Sequence, residues 1–161
     1  MKAERGFTLV EILIVVVILG ILAAIVIPQF TNASTEARES SLTSDLQAVR
    51  GQIELYKIQH LGDALPGAGT ATFEEALIGC TDINGAVVAV GTAGAKGPYM
   101  QKIPVNPFSV ADPATNLVRI EAGASTAGAD THHWVFNTDT GAFQADDAEV
   151  NPTTSEPHST Y

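Results

Sequence analysis

A single carboxylate stands in the most apolar stretch of the chain. Between Phe7 and Ile27 every side chain is apolar except Thr8 and Glu11, with Gly20 the one break in bulk. At about 1.5 Å per residue this stretch makes a helix of roughly 31 Å, enough to cross the hydrocarbon of a bilayer. An acid at that depth is costly unless a cation meets it. The residues just before it offer one. If the chain is cut between Gly6 and Phe7, Phe7 gains a positive α-amine, and the amine of one copy can pair with Glu11 of another. That chemistry is a desolvated ion pair joining subunits.

Other reactive residue types carry less. His132 and His133 are adjacent, and neighbours on a strand point to opposite faces, so the pair does not share an ion easily. Asp146, Asp147 and Glu149 read as a solvated acidic cluster. Cys80 is the only cysteine, which excludes an intramolecular disulfide and a cysteine-rich zinc site; it reads as a small buried side chain. No nucleophile-elbow pattern, phosphate loop or supported acid–base pair is present, so the chain reads as a non-enzyme without a required cofactor.

The elements that position Glu11 follow from periodicity. Leu42, Leu46, Val49, Ile53 and Tyr56 recur at helical spacing, and Phe30, Ala33 and Ala37 extend the stripe backward. One helix is therefore expected from about Phe7 to about Leu61, with Gly62 as its stop. Pro28 removes one backbone donor and, with Gly20, marks weak points in it. Thr72-Phe73-Glu74-Glu75 fits a capping box that starts a short helix ending near Ile78. Strands are expected at 86–90, 117–121, 133–137 and 142–145, the last two joined by a hairpin at Thr138-Asp139-Thr140-Gly141. Trp134 and Phe136 share a face and should pack on the helix stripe. The fold class is α+β: a long N-terminal helix whose C-terminal half lies on a small antiparallel sheet.

The chain divides accordingly into 1–6, a hydrophobic helix at 7–28, an amphipathic helix at 29–61, a small globular domain at 62–147, and a flexible acidic, Pro- and Thr-rich tail at 148–161. With 18 acidic against 8 basic residues the net charge is −10. An acidic exterior repels phosphate backbones and argues against direct nucleic-acid binding. Lys2 and Arg5 precede the apolar run, and the next basic residue is Arg38; that bias keeps the N-terminus in the cytoplasm and sends the body outside.

Lys2-Ala3-Glu4-Arg5-Gly6 followed by Phe7-Thr8-Leu9-Val10-Glu11 closely resembles the leader and cleavage site of the type IV pilin-like family, which includes type IV prepilins and type II secretion pseudopilins. The resemblance implies removal of residues 1–6 by the prepilin peptidase, cleavage between Gly6 and Phe7, N-methylation of Phe7 and an assembly role for Glu11. Pro28 falls where the family usually has a proline, and the resemblance makes Gly20–Pro28 the section that can melt and extend. An ordinary secretory signal has a shorter apolar core. A plain single-pass anchor accounts for the length but not for Gly6-Phe7 or Glu11.

Gly97-Pro98-Tyr99, Ile103-Pro104 and Asn106-Pro107-Phe108 resemble the stretch that major pseudopilins place before their sheet, with Asn106 in place of an aspartate and Phe108 in place of a tryptophan. With the lack of a disulfide, this favours the major pseudopilin of a type II secretion system. The implied partners are a homopolymer, the peptidase, an assembly ATPase and a platform protein. The subunit waits in the inner membrane before assembly and lies in a periplasmic or extracellular filament after it. Calcium beside the sheet is a further implication, for which Asp112, Asp130 and Asp139 are the nearest oxygen donors. A major type IV pilin serving adhesion, motility or DNA uptake shares everything before residue 60. A monomeric membrane-anchored periplasmic binding module is the reading of another class.

Overall fold

The structure, a computed structural model, describes residues 6–115 and 117–161. Two compact units emerge, one ending at Arg38 and one running from Glu39 to Tyr161. Helix α1 (Leu9–Gln59) contributes to both. Its observed span lies two residues inside each expected end. Gly62 follows with φ at 67°, the left-handed conformation that ends helical runs.

Between Ile12 and Ile27 α1 is apolar on every side. Every large apolar side chain from Phe7 to Phe30 is at least 41 % exposed. A helix with this composition suits a surrounding of lipid or of other apolar helices. It passes Gly20 and Pro28 without interruption. Proline has no N–H, so the Ala24 carbonyl loses its usual donor. Just beyond, Thr31 Oγ1 donates to the Ile27 carbonyl at 3.2 Å and Thr35 Oγ1 to the Thr31 carbonyl at 3.1 Å. This back-bonding keeps small polar side chains satisfied on the helix surface.

The second unit has the core. Leu42, Leu46, Val49, Ile53 and Tyr56 are buried, as the stripe predicts. They share a cluster with Trp134, Phe136 and Phe143. Helix α2 (Phe73–Ile78) starts at a capping box: Glu75 N donates to Thr72 Oγ1 at 3.2 Å, and Thr72 N donates to Glu75 Oε2 at 2.9 Å. Those bonds hold the exposed Glu75 carboxyl below its ordinary range. Its buried face sets Phe73 against Phe136, with ring centroids 4.4 Å apart.

Strands β1 (Cys80–Thr81) and β2 (Val87–Val88) pair antiparallel. Only β2 was expected; β1 is too short for a period to show. The turn between them is held by Asp82 Oδ1, which accepts from Asn84 N and Ala86 N, each at 2.9 Å. Gly69 packs so closely here that an added Cβ would lie 2.6 Å from the Gly85 carbonyl oxygen.

Strands β3 (Val118–Glu121), β4 (Trp134–Asn137) and β5 (Phe143–Ala145) form a second sheet in that order. β4 and β5 are the expected hairpin, with Gly141 at φ 74° in its turn. β3 and β4 instead run parallel, in register Val118↔Trp134 to Glu121↔Asn137. The α+β class stands, and the larger sheet is mixed rather than wholly antiparallel. Residues 122–133 provide the dozen or so residues a parallel return needs. All four residues of β4 are buried, so both faces of the central strand are covered.

The segment expected to be a flexible tail, 148–161, follows a docked path. It ends in a 3₁₀ turn at His158–Thr160, with the His158 side chain fully buried. A polar composition alone suggested disorder, whereas a few long-range hydrogen bonds give the segment its place.

Candidate functional site

Of the residues expected to serve processing and assembly, Gly6, Phe7 and Glu11 are described, while Lys2 and Arg5 lie outside the described residues. Phe7 is 85 % exposed ahead of the first turn of α1. Glu11 sits in that first turn. Its Oε2 accepts from Thr8 N and from Thr8 Oγ1, each at 2.8 Å, and Glu11 N donates to Thr8 Oγ1 at 3.2 Å. Thr8 and Glu11 therefore form a second capping box, the same Thr-x-x-Glu pattern that starts α2. The contribution of Thr8 was not anticipated from the sequence, although the repeated pattern was there to be found.

The arrangement leaves Glu11 half used. Oε2 closes the helix cap, while Oε1 has no partner among the described residues. An anion in the first turn also suits the positive end of the helix dipole. The site is thus a fixed carboxylate edge on a helix whose neighbouring side chains are Leu9, Val10, Ile12 and Leu13, all exposed. Such an edge can accept a hydrogen bond from a cation brought by another molecule.

The calcium candidates do not gather. Asp112 Oδ1 accepts from Ala114 N at 2.9 Å, and Asp139 Oδ2 accepts from Gly123 N at 2.7 Å. Asp130 stands in another part of the long loop, at φ 54°, with Oδ1 buried and unpartnered. Among the described residues no three His, Cys, Asp or Glu side chains are grouped to hold a metal. Asp112 and Asp139 are each bonded to a different stretch of loop, and Asp130 Oδ1 is bonded to none of the described residues.

A cation of the chain's own organises that region. The Arg119 guanidinium lies 2.7 Å from Asp146 Oδ1 and 3.1 Å from Glu121 Oε2, and donates to the Thr126 carbonyl at 3.0 Å. Asp146 also accepts from Ala129 N, Thr131 Oγ1 and His132 N. Burial pushes the Asp146 carboxyl up, but the Arg119 bond and the backbone N–H donors outweigh it and leave it below the ordinary carboxylate range. Asp146 and Asp147 are thus buried and bonded, in place of the solvated cluster expected.

His132 and His133 do diverge. His133 is buried between the carbonyls of Asn106 and Ala111, at 3.3 and 3.0 Å, while His132 Nδ1 meets Thr131 Oγ1 at 3.0 Å. Cys80 is free and buried. Asn106, where the resemblance led to an aspartate, donates to Asp147 Oδ2 at 2.6 Å and to the His133 carbonyl at 3.2 Å. An amide can donate at that position and a carboxylate cannot, so the substitution fits the buried Asp147 beside it.

Residues 1–27 match the prokaryotic N-terminal methylation motif. Among curated proteins, a type II secretion system core protein G of Pseudomonas aeruginosa is 32 % identical over 146 residues, covering 86 % of this chain and 97 % of that protein. A type II secretion system core protein G of Klebsiella pneumoniae is 42 % identical over 60 residues, 37 % of this chain and 43 % of that protein. A fimbrial protein of Pseudomonas aeruginosa is 44 % identical over 54 residues, 34 % of this chain and 35 % of that protein. No solved structure matches.

Proposed function

Since this chain belongs to the type IV pilin-like family of type II secretion system core protein G, we propose that it is the major subunit of a pilus-like filament and polymerises through its N-terminal helix. The observation that carries the reading is the half-used carboxylate of Glu11, with one oxygen in the Thr8 cap and the other open, on an exposed apolar helix. α1 is long and apolar enough to cross a membrane, which suits a single-pass precursor.

In this reading the prepilin peptidase cuts between Gly6 and Phe7 and methylates the new amine. The N-terminus faces the cytoplasm, and the second unit folds on the far side of the membrane. An assembly ATPase and a platform protein then extract the subunit. The Phe7 amine of one copy meets Glu11 of another as the apolar helices gather. Away from water the pair is stronger, and loss of one partner strands a charge. The contact is head-to-tail and does not close, so it propagates as a helical fibre. Gly20 and Pro28 mark the section of α1 that can lengthen. The likeness to a fimbrial protein is confined to about a third of either chain, so it does not favour the type IV pilus over the secretion filament.

Expression of Glu11→Ala tests the charge pair. The variant is expected to insert and to be trimmed to methyl-Phe7 by mass spectrometry, yet to give no fibres by electron microscopy; normal fibres overturn the pairing. Gly6→Val should leave the uncut precursor in the membrane. A mature chain from that variant overturns the processing assignment.

A further inference from the structure

Two carboxylates meet one buried histidine, and among the described residues neither has a lysine or arginine to answer it. His158 Nδ1 lies 2.6 Å from Asp147 Oδ1, and Nε2 lies 2.9 Å from Glu39 Oε1. The Asp147 and His158 side chains are fully buried, and that of Glu39 is 12 % exposed. The ion pairs of Lys and Arg among the described residues are Lys57 with Glu54 and Arg119 with Glu121 and Asp146, so His158 is the only cation available to this pair of acids. Buried charge needs a partner.

With both acids ionised, the hydrogen-bond count favours the doubly protonated ring. A carboxylate only accepts. A neutral imidazole has one N–H and satisfies one of the two oxygens, leaving a lone pair facing the other. The doubly protonated ring donates to both and sets a positive charge between them. The Phe108 and Tyr161 rings lie beside it, with centroids at 4.5 and 5.5 Å. Asp147 has two further amide donors, Asn106 Nδ2 on Oδ2 at 2.6 Å and Glu149 N on Oδ1 at 3.1 Å, and Glu39 has one, Asn151 Nδ2 on Oε2 at 3.2 Å. Glu149 offers the ring's residue its carbonyl, which accepts from His158 N at 3.1 Å.

The segment fixed by this histidine covers the outer side of β5. Gln144 Nε2 donates to the Ser159 carbonyl at 2.7 Å, and the Arg50 guanidinium donates to the carbonyls of Phe143 and Tyr161. Glu39 lies on α1 and Asp147 just after β5, so His158 ties the end of the chain to both.

We propose that residues 148–161 form a proton-operated latch, closed over β5 and α1 while His158 carries both ring protons and released when the ring gives one to water. Release uncovers the outer side of β5 and frees one hydrogen-bond donor group of Arg50. Because the doubly protonated ring is the closed form, closure holds at lower pH and is lost as pH rises.

The test uses the full chain in detergent, with nitrogen NMR of the His158 ring and amide hydrogen exchange of Asn151, His158 and Tyr161, from about pH 5 to about pH 9, the range spanning histidine's ordinary change of charge. The ring should lose its second proton over the same interval in which protection of these amides falls, by tenfold or more after correction for intrinsic exchange, while Phe136 in β4 stays protected. Glu39→Gln should lower tail protection roughly tenfold to hundredfold at the acidic end, the effect of losing one charged hydrogen bond. His158→Phe should leave the tail unprotected at every pH, and Glu39→Gln retains the readout if that variant misfolds. A ring with one proton under a protected tail overturns the latch. So does protection that stays level across the interval, whether or not the ring stays charged.

Discussion

The two halves of α1 obey one helical geometry and two different solvents. From Phe7 to Phe30 the helix displays apolar side chains on all sides, and none of the large ones is buried. From Leu42 to Tyr56 it carries a single stripe that disappears into the core, with mostly polar residues elsewhere. The second half is stabilised by contacts that the chain brings itself. The first half has a composition that only surroundings outside the chain can satisfy. In the filament reading proposed above, a chain built this way would keep a folded head while its stem changed from lipid to protein neighbours.

Paired truncations test that division most strongly. Leu46→Ala should destabilise the second unit by about 2–5 kcal/mol in denaturant titration of the full chain in detergent, the range for large-to-small changes in a core. Leu19→Ala on the same helix should shift that transition by less than about 0.5 kcal/mol, as surface substitutions do. Equal losses would erase the distinction between the halves.

A smaller effect asks whether the head supplies its own cation. Arg119→Met should cost about 1.5–3 kcal/mol, the range for charged hydrogen bonds, and should loosen residues 122–132 in hydrogen exchange. The Asp146 carboxyl is held below its unfolded value. Its contribution is therefore complete above that value and is lost as pH falls through the lower, folded one. Wild-type stability should decline in strong acid with a step that Arg119→Met lacks.

Thr72→Ala should cost about 0.5–2 kcal/mol through loss of the α2 cap, with no change in fibre formation. The smallest expected change is alkaline. Burial, with Tyr56 and Cys80 nearby, pushes the Tyr99 hydroxyl up to about 12. The folded state then holds a proton that the unfolded state has lost, so stability should fall between about pH 10 and 12. Tyr99→Phe should remove that slope.

Much of the head was legible because its signals are local. The stripe from Leu42 to Tyr56, the Thr72–Glu75 cap and the hairpin around Gly141 each depend on residues a few positions apart. The parallel return of β3 onto β4 was hidden, since two adjacent strand patterns do not state the direction of their pairing. β1 was missed because two residues show no alternation. The docked tail was beyond reach: His158 finds Glu39 119 residues away, and no periodicity encodes such a meeting. At the site proposed for assembly, the isolated carboxylate and the apolar run single out Glu11, whereas the part Thr8 plays in the helix cap shows only with its hydroxyl in place.

Arg50 gives the edge of the head one more property. Strand edges with open carbonyls invite neighbouring copies to add strands of their own. By occupying the Phe143 carbonyl with a rigid planar fork, Arg50 blunts the short outermost strand of every head. In the filament proposed above, such an edge would keep closely packed heads from fusing into a continuous ribbon.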